Sequence, residues 1–195
     1  VFVVYLLKRQ MIKLFQVLPL KINFQLPILN PQFPIRYFWD FLAHFLTSNS
    51  RHGTHSPFVY ALADKVVYRR SRAGSAKTTV VPEGFAPRHL SLLRDVLAYL
   101  SVNKLADFQL DEEAPALLTD LNTVSVEAIG EAVYGGKIVI VHEPFKTRSS
   151  KRLWQKLIRE ETVTVSINLF HFGLLLRRDG QRKEDFRLRY PLTRI

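Results

Sequence analysis

Apolar residues along this chain recur at two different spacings, and the alternation between them lays out the fold. From Arg36 to Leu46 the side chains Tyr37, Phe38, Phe41, Leu42 and Phe45 fall three and four apart, which predicts a short amphipathic helix. Ser56-Pro57 then supplies an N-cap followed by proline at the first helical position, so a helix from Pro57 to about Arg69 is expected. Leu90, Leu93, Leu97 and Leu100 mark another helix over Pro87 to Leu100, and Leu153, Trp154, Leu157 and Ile158 a last one over Lys151 to Glu161, capped by Ser149 or Ser150.

Between these helices the period changes. Leu105 to Leu110 reads as a strand, and Ala116 to Asp120 follows an acidic, proline-interrupted break. Ser125 to Tyr134 is helical, Gly135-Gly136 stops it, and Lys137 to His142 is the unbroken apolar run of a buried strand. A strand, helix and strand with short links predict a right-handed parallel crossover. Near the end, Val163 to Leu169, Gly173 to Arg177 and Asp185 to Tyr190 predict antiparallel strands joined to that parallel sheet, with Phe170-His171-Phe172 between the first two.

The predicted fold class is α/β: a reduced Rossmann-like mixed sheet with antiparallel C-terminal strands, flanking helices and an N-terminal helical and proline-rich extension. Residues 1–35 form an apolar arm broken by Pro19, Pro27, Pro31 and Pro34, which forbid a long helix there. The arm reads equally as an extended tail or as a segment that docks on a membrane surface or a partner. Residues 36–80 are the helical N-terminal region and 81–195 the α/β domain. Val1 to Leu7 precede the only methionine, Met11, and read as an alternative start or an over-extended gene model; the run is too short to span a bilayer, and Lys8 and Arg9 follow rather than precede it. The expected setting is cytoplasmic.

Composition narrows the chemistry. With 195 residues, 47% of them hydrophobic, the chain can bury one substantial core. It has no cysteine, so disulfides, thiolate metal sites and cysteine nucleophiles are excluded. His52 and His55 lie close together, but His44, His89, His142 and His171 are scattered without a ligand pattern, and no metal site is expected. Lys77-Thr78-Thr79 lacks the glycine spacing of a phosphate loop. The net charge of +11, concentrated toward the C-terminus, favours an anionic partner or a solvated basic face.

Two stretches carry a resemblance. His52-Gly53-Thr54-His55-Ser56-Pro57-Phe58-Val59-Tyr60 resembles the histidine-glycine-x-histidine-serine-proline-phenylalanine element that precedes the catalytic domain in a bacterial subgroup of the class I S-adenosylmethionine-dependent methyltransferases. Val163 to Leu174, with Asp185 to Tyr190, resembles that subgroup's closing strands. The resemblance implies that Leu117 to Asn122 is the family's fourth strand and acidic turn, and that Ile138 to Glu143 is its fifth strand, where His142 and Glu143 replace the paired aspartates frequent in relatives. It also implies S-adenosylmethionine as cofactor. Yet the first strand, Leu105 to Leu110, runs into Asp111-Glu112-Glu113-Ala114-Pro115 instead of a glycine-rich turn, no Gly-x-Gly occurs in the chain, and about six residues separate the first and fourth strands. Measured against a full-length member of that family, the resemblance implies that the middle of the domain is missing, which would leave sheet edges that favour self-association.

The candidate catalytic residues are therefore Asp120, His142 and Glu143, with His171 as a further possible base. Each also has a structural reading at a strand end. The leading expectation is a degenerate methyltransferase-like protein acting by binding or assembly; the alternatives are an active transferase with a divergent or shared cofactor site, and a nucleic-acid-binding protein.

Overall fold

The computed structural model describes residues 35–49, 55–68, 87–111 and 113–191. The proline-rich arm and His52-Gly53 lie outside them. Among the described residues, five α-helices and six strands follow in the order α1 (Ile35–Thr47), α2 (Pro57–Leu62), α3 (Pro87–Tyr99), β1 (Leu105–Asp107), β2 (Ala116–Thr119), α4 (Val126–Tyr134), β3 (Ile138–His142), α5 (Arg148–Leu157), β4 (Val165–Asn168), β5 (Phe172–Leu176) and β6 (Glu184–Arg187). A π-helical turn, Ala63–Val67, continues α2. The strands form one mixed sheet in the order β1-β2-β3-β5-β4-β6, flanked by helices, so the predicted α/β class holds.

Strand alternation divides the core between the two faces of this sheet. Ala116, Leu118, Ile140, Leu174 and Leu176 point to one face, where α2, its π-helical turn and α3 cover them with Val59, Leu62, Val66, Leu92, Leu93 and Val96. Leu117, Val139, Val141 and Leu175, one residue out of step, point to the other, beneath Ile129 and Val133 of α4 and Trp154 and Leu157 of α5. Burial on both sides explains why β2 and β3 read as continuous apolar runs.

Local sequence accounts for the helix ends. Ser56 Oγ accepts from Val59 N, as the Ser56-Pro57 pattern predicts, and Ser125 Oγ accepts from Ala128 N at the start of α4. The last helix starts earlier than expected: Thr147 Oγ1, not Ser149 or Ser150, caps it by accepting from Ser150 N at 2.9 Å.

Two strand expectations are corrected. The first strand ends at Asp107 rather than Leu110, because Asp107 Oδ1 accepts from Gln109 N (2.9 Å) and Asp107 O accepts from Leu110 N and Asp111 N, folding the chain into a turn. At the C-terminal end β4 and β5 form the expected antiparallel pair, and β5 is also antiparallel to β3; the departure is β6, which pairs parallel to β4. With both edges of β5 already occupied, the following strand passes over β4 to the free edge beyond it.

The indole of Trp154 packs against Gly173, where an added Cβ would stand 2.3 Å from the ring. We expect Gly173→Ala to destabilise the protein by about 1–3 kcal/mol through overpacking. In a urea titration, Gly173→Ala combined with Trp154→Leu should lose less than the sum of the two single changes, because the smaller side chain vacates the space the methyl needs.

Candidate functional site

The carboxyl ends of β1, β2, β3, β4 and β6 share one edge of the sheet, the edge at which open α/β sheets bind ligands. Glu143 emerges there from β3, and the β4–β5 turn, Leu169-Phe170-His171, faces it. That turn is very tight: His171 N donates to Leu169 O at 3.0 Å across Phe170, whose φ is +71°, a γ-turn of the rare, strained hand. Glu143 also has a positive φ, +44°, immediately before Pro144, in a position where extended backbone is preferred. Each such conformation costs on the order of 1–3 kcal/mol. The two are tied together by Glu143 N donating to His171 O at 2.9 Å.

This geometry turns the Glu143 carboxylate and the His171 imidazole toward each other. Tyr37, from α1, donates its hydroxyl proton to Glu143 Oε2 at 2.6 Å and lies 3.1 Å from His171 Nδ1, which is itself 3.4 Å from Glu143 Oε1. His89, near the start of α3, stacks on His171 with centroids 3.9 Å apart and planes 20° apart. Tyr190 meets both imidazoles edge-on. His89, His171, Tyr37 and Tyr190 are buried, and a ligand atom from each of His89, Glu143 and His171 lies within 4.8 Å of the other two.

Helix α1 closes the edge over this group. Tyr37 and Phe41 pack on Phe170, which stacks on Phe145 at 5.1 Å. Outside the ring cluster, Asp40 accepts from both Arg36 and Lys151 at 2.6 Å, binding α1 to α5. His44 Nε2 donates to Asn168 O at 3.3 Å. Burial pushes the His44 pKa down to about 4, aided by the positive charge of Arg187 and opposed by its bond to Asn168.

Of the residues singled out in the sequence, Glu143 and His171 come together in this cluster, while Asp120 and His142 stand at the neighbouring strand ends, where the charges of Asp120 and Glu143 act on His142. Asp120 Oδ1 accepts from Asn122 N and Asn122 Nδ2, so it forms the turn after β2. His142 is half-buried; burial lowers its pKa, against the opposing charges of Glu143 and Asp120. In the histidine-rich element, His55 is exposed, Ser56 caps α2 and accepts from Gln181 Nε2 at 3.0 Å, and Phe58 lies under Arg178. These described residues join the helical region to the β5–β6 link. His52 and Gly53 lie outside the described residues.

Sequence reasoning does not place Tyr37, His89 or Tyr190 in a site. For His89 there is a usable signal, since it sits one turn before the buried pair Leu92 and Leu93 on the apolar face of α3. No protein-family model matches the chain, and no curated protein or solved structure matches it.

The resemblance implies a methyl donor, and the turn after β1 is where it would be gripped. Residues 108–115 return directly to the parallel neighbour β2 without a helix or a glycine. Parallel neighbours ordinarily need about a dozen or more linking residues. Here Phe108, Ala114 and an ion pair between Lys104 and Asp111 hold the link against the domain. Side chains at the described positions of this link, 108–111 and 113–115, keep the backbone from approaching a ligand as glycine would allow, so these residues do not fit the implied cofactor. Among the described residues, no helix is long and apolar enough to cross a membrane.

The His44 shift has a direct consequence for stability. Its folded pKa, about 4, is below the unfolded value near 6.5, so the unfolded chain takes up the proton first as pH falls. The stabilisation is complete above about pH 6.5 and declines toward pH 4, by roughly 3 kcal/mol in all. Urea midpoints measured at pH 7 and pH 4.5 should differ less in His44→Gln than in the parent protein.

Proposed function

We propose that this chain is a methyltransferase-like protein that has lost the grip on S-adenosylmethionine and works by binding or assembly through the carboxyl edge of its sheet. The observation that carries the reading is the direct, glycine-free return from β1 to β2. The antiparallel strand β5 lying between two parallel strands supports the likeness to the closing half of a class I methyltransferase fold. A cytoplasmic setting belongs to the same reading. So does self-association along β1, the sheet edge that the missing middle would have covered.

An active transferase is the second reading, and the buried Glu143–His171–Tyr37 group favours it, because a hydrogen-bonded carboxylate and imidazole can relay a proton from an acceptor hydroxyl or amine. In that version Glu143 would be the base.

Isothermal titration with S-adenosylmethionine and with its demethylated product, on protein shown to be folded by a cooperative thermal transition, separates the two readings. We expect no binding heat from either compound. Micromolar binding of either one would overturn the proposal and direct attention to an acceptor assay with Glu143→Gln.

A further inference from the structure

We propose that His89, Glu143 and His171 form a binding site for a divalent transition-metal ion of the zinc class. The proposal does not depend on whether the chain binds a methyl donor. Three elements distant in sequence, the start of α3, the end of β3 and the β4–β5 turn, deliver two buried imidazoles and a partly buried carboxylate to one point, with their ligand atoms within 4.8 Å of one another. Ligand bonds of about 2.0–2.2 Å place tetrahedral donors roughly 3 to 4 Å apart, so binding an ion would draw the three donors closer and splay the stacked His89 and His171 rings until an in-plane nitrogen of each faces it.

The donor chemistry selects the ion. Two imidazole nitrogens and one carboxylate suit zinc and its first-row neighbours, whereas magnesium and calcium take oxygen donors. Tyr37, whose hydroxyl donates to Glu143 Oε2 and lies 3.1 Å from His171 Nδ1, and the Glu143 N to His171 O bond fix these two ligands relative to each other. Backbone strain points to the same place: of the three non-glycine residues with positive φ among the described residues, Glu143 is a ligand and Phe170 directly precedes one. Three protein ligands leave a coordination position for water or a substrate oxygen, so the ion would give this edge a Lewis acid.

Zinc binding to the full chain, measured by competition with a chromophoric chelator, is expected at one ion per chain with a dissociation constant below about 10 μM. His89→Ala, His171→Ala and Glu143→Gln should each weaken it by about 100-fold while His55→Ala leaves it unchanged. X-ray absorption of the zinc-loaded parent protein provides a check that needs no variant, and should show scattering from two imidazole rings with oxygen donors. Three results would each overturn the site: no binding tighter than about 1 mM, a spectrum without paired imidazoles, or binding abolished by His55→Ala and untouched by His171→Ala in a folded variant.

Discussion

The 2.9 Å hydrogen bond from Glu143 N to His171 O joins the end of β3 to the turn that sends the chain from β4 back into β5. Because β5 fills the space between β3 and β4, its first residue pairs with the last residue of β3, His142 with Phe172, and the turn must stand beside Glu143. A looser turn would leave His171 free to face solvent. The left-handed φ of Phe170 prevents that: it buries the phenyl ring beneath α1 and aims the next side chain along the edge. From this arrangement follow the seat of Tyr37, the docking of α1 and the stacking of His89.

Periodicity made most of the fold readable. The apolar runs at Ile138 to Val141 and Val165 to Ile167, the Ser56-Pro57 start and the Gly135-Gly136 stop all depend on neighbours in sequence, and they appear close to where those neighbours place them. The expected continuation of β1 to Leu110 breaks off at Phe108 because the Asp107 side chain competes for the backbone N–H of Gln109, an Asx turn that an apolar pattern does not register. The pairing of β6 with β4 depends on which sheet edges are already filled, and that is a property of the assembled sheet.

The site was legible only in part, for the same reason. Glu143 stood out as the residue replacing an expected aspartate, and His171 as a polar residue between aromatic ones, but their meeting depends on two unusual backbone conformations. His89 comes from a helix more than fifty residues earlier than Glu143, and linear spacing says nothing about such a pair. Charge is similarly reinterpreted by the fold. Lys151 and Lys156 are engaged by Asp40 and Glu127, Lys183 donates to Glu160 O and Val163 O, and Arg177, Arg178 and Arg189 lie over Tyr134, Phe58 and Phe45. A good part of the C-terminal basic excess thus braces the domain itself.

The short return between β1 and β2 also alters how the sheet can be assembled. Leu105 pairs with Ala116, eleven positions away, whereas Ala116 pairs with Ile138, twenty-two positions away across α4. Halving the loop lowers its closure cost by about 0.6 kcal/mol. A parallel sheet normally has to wait for distant segments to meet, but here one parallel pair is close in sequence, so of the two edge strands β1 is the one whose search is shorter.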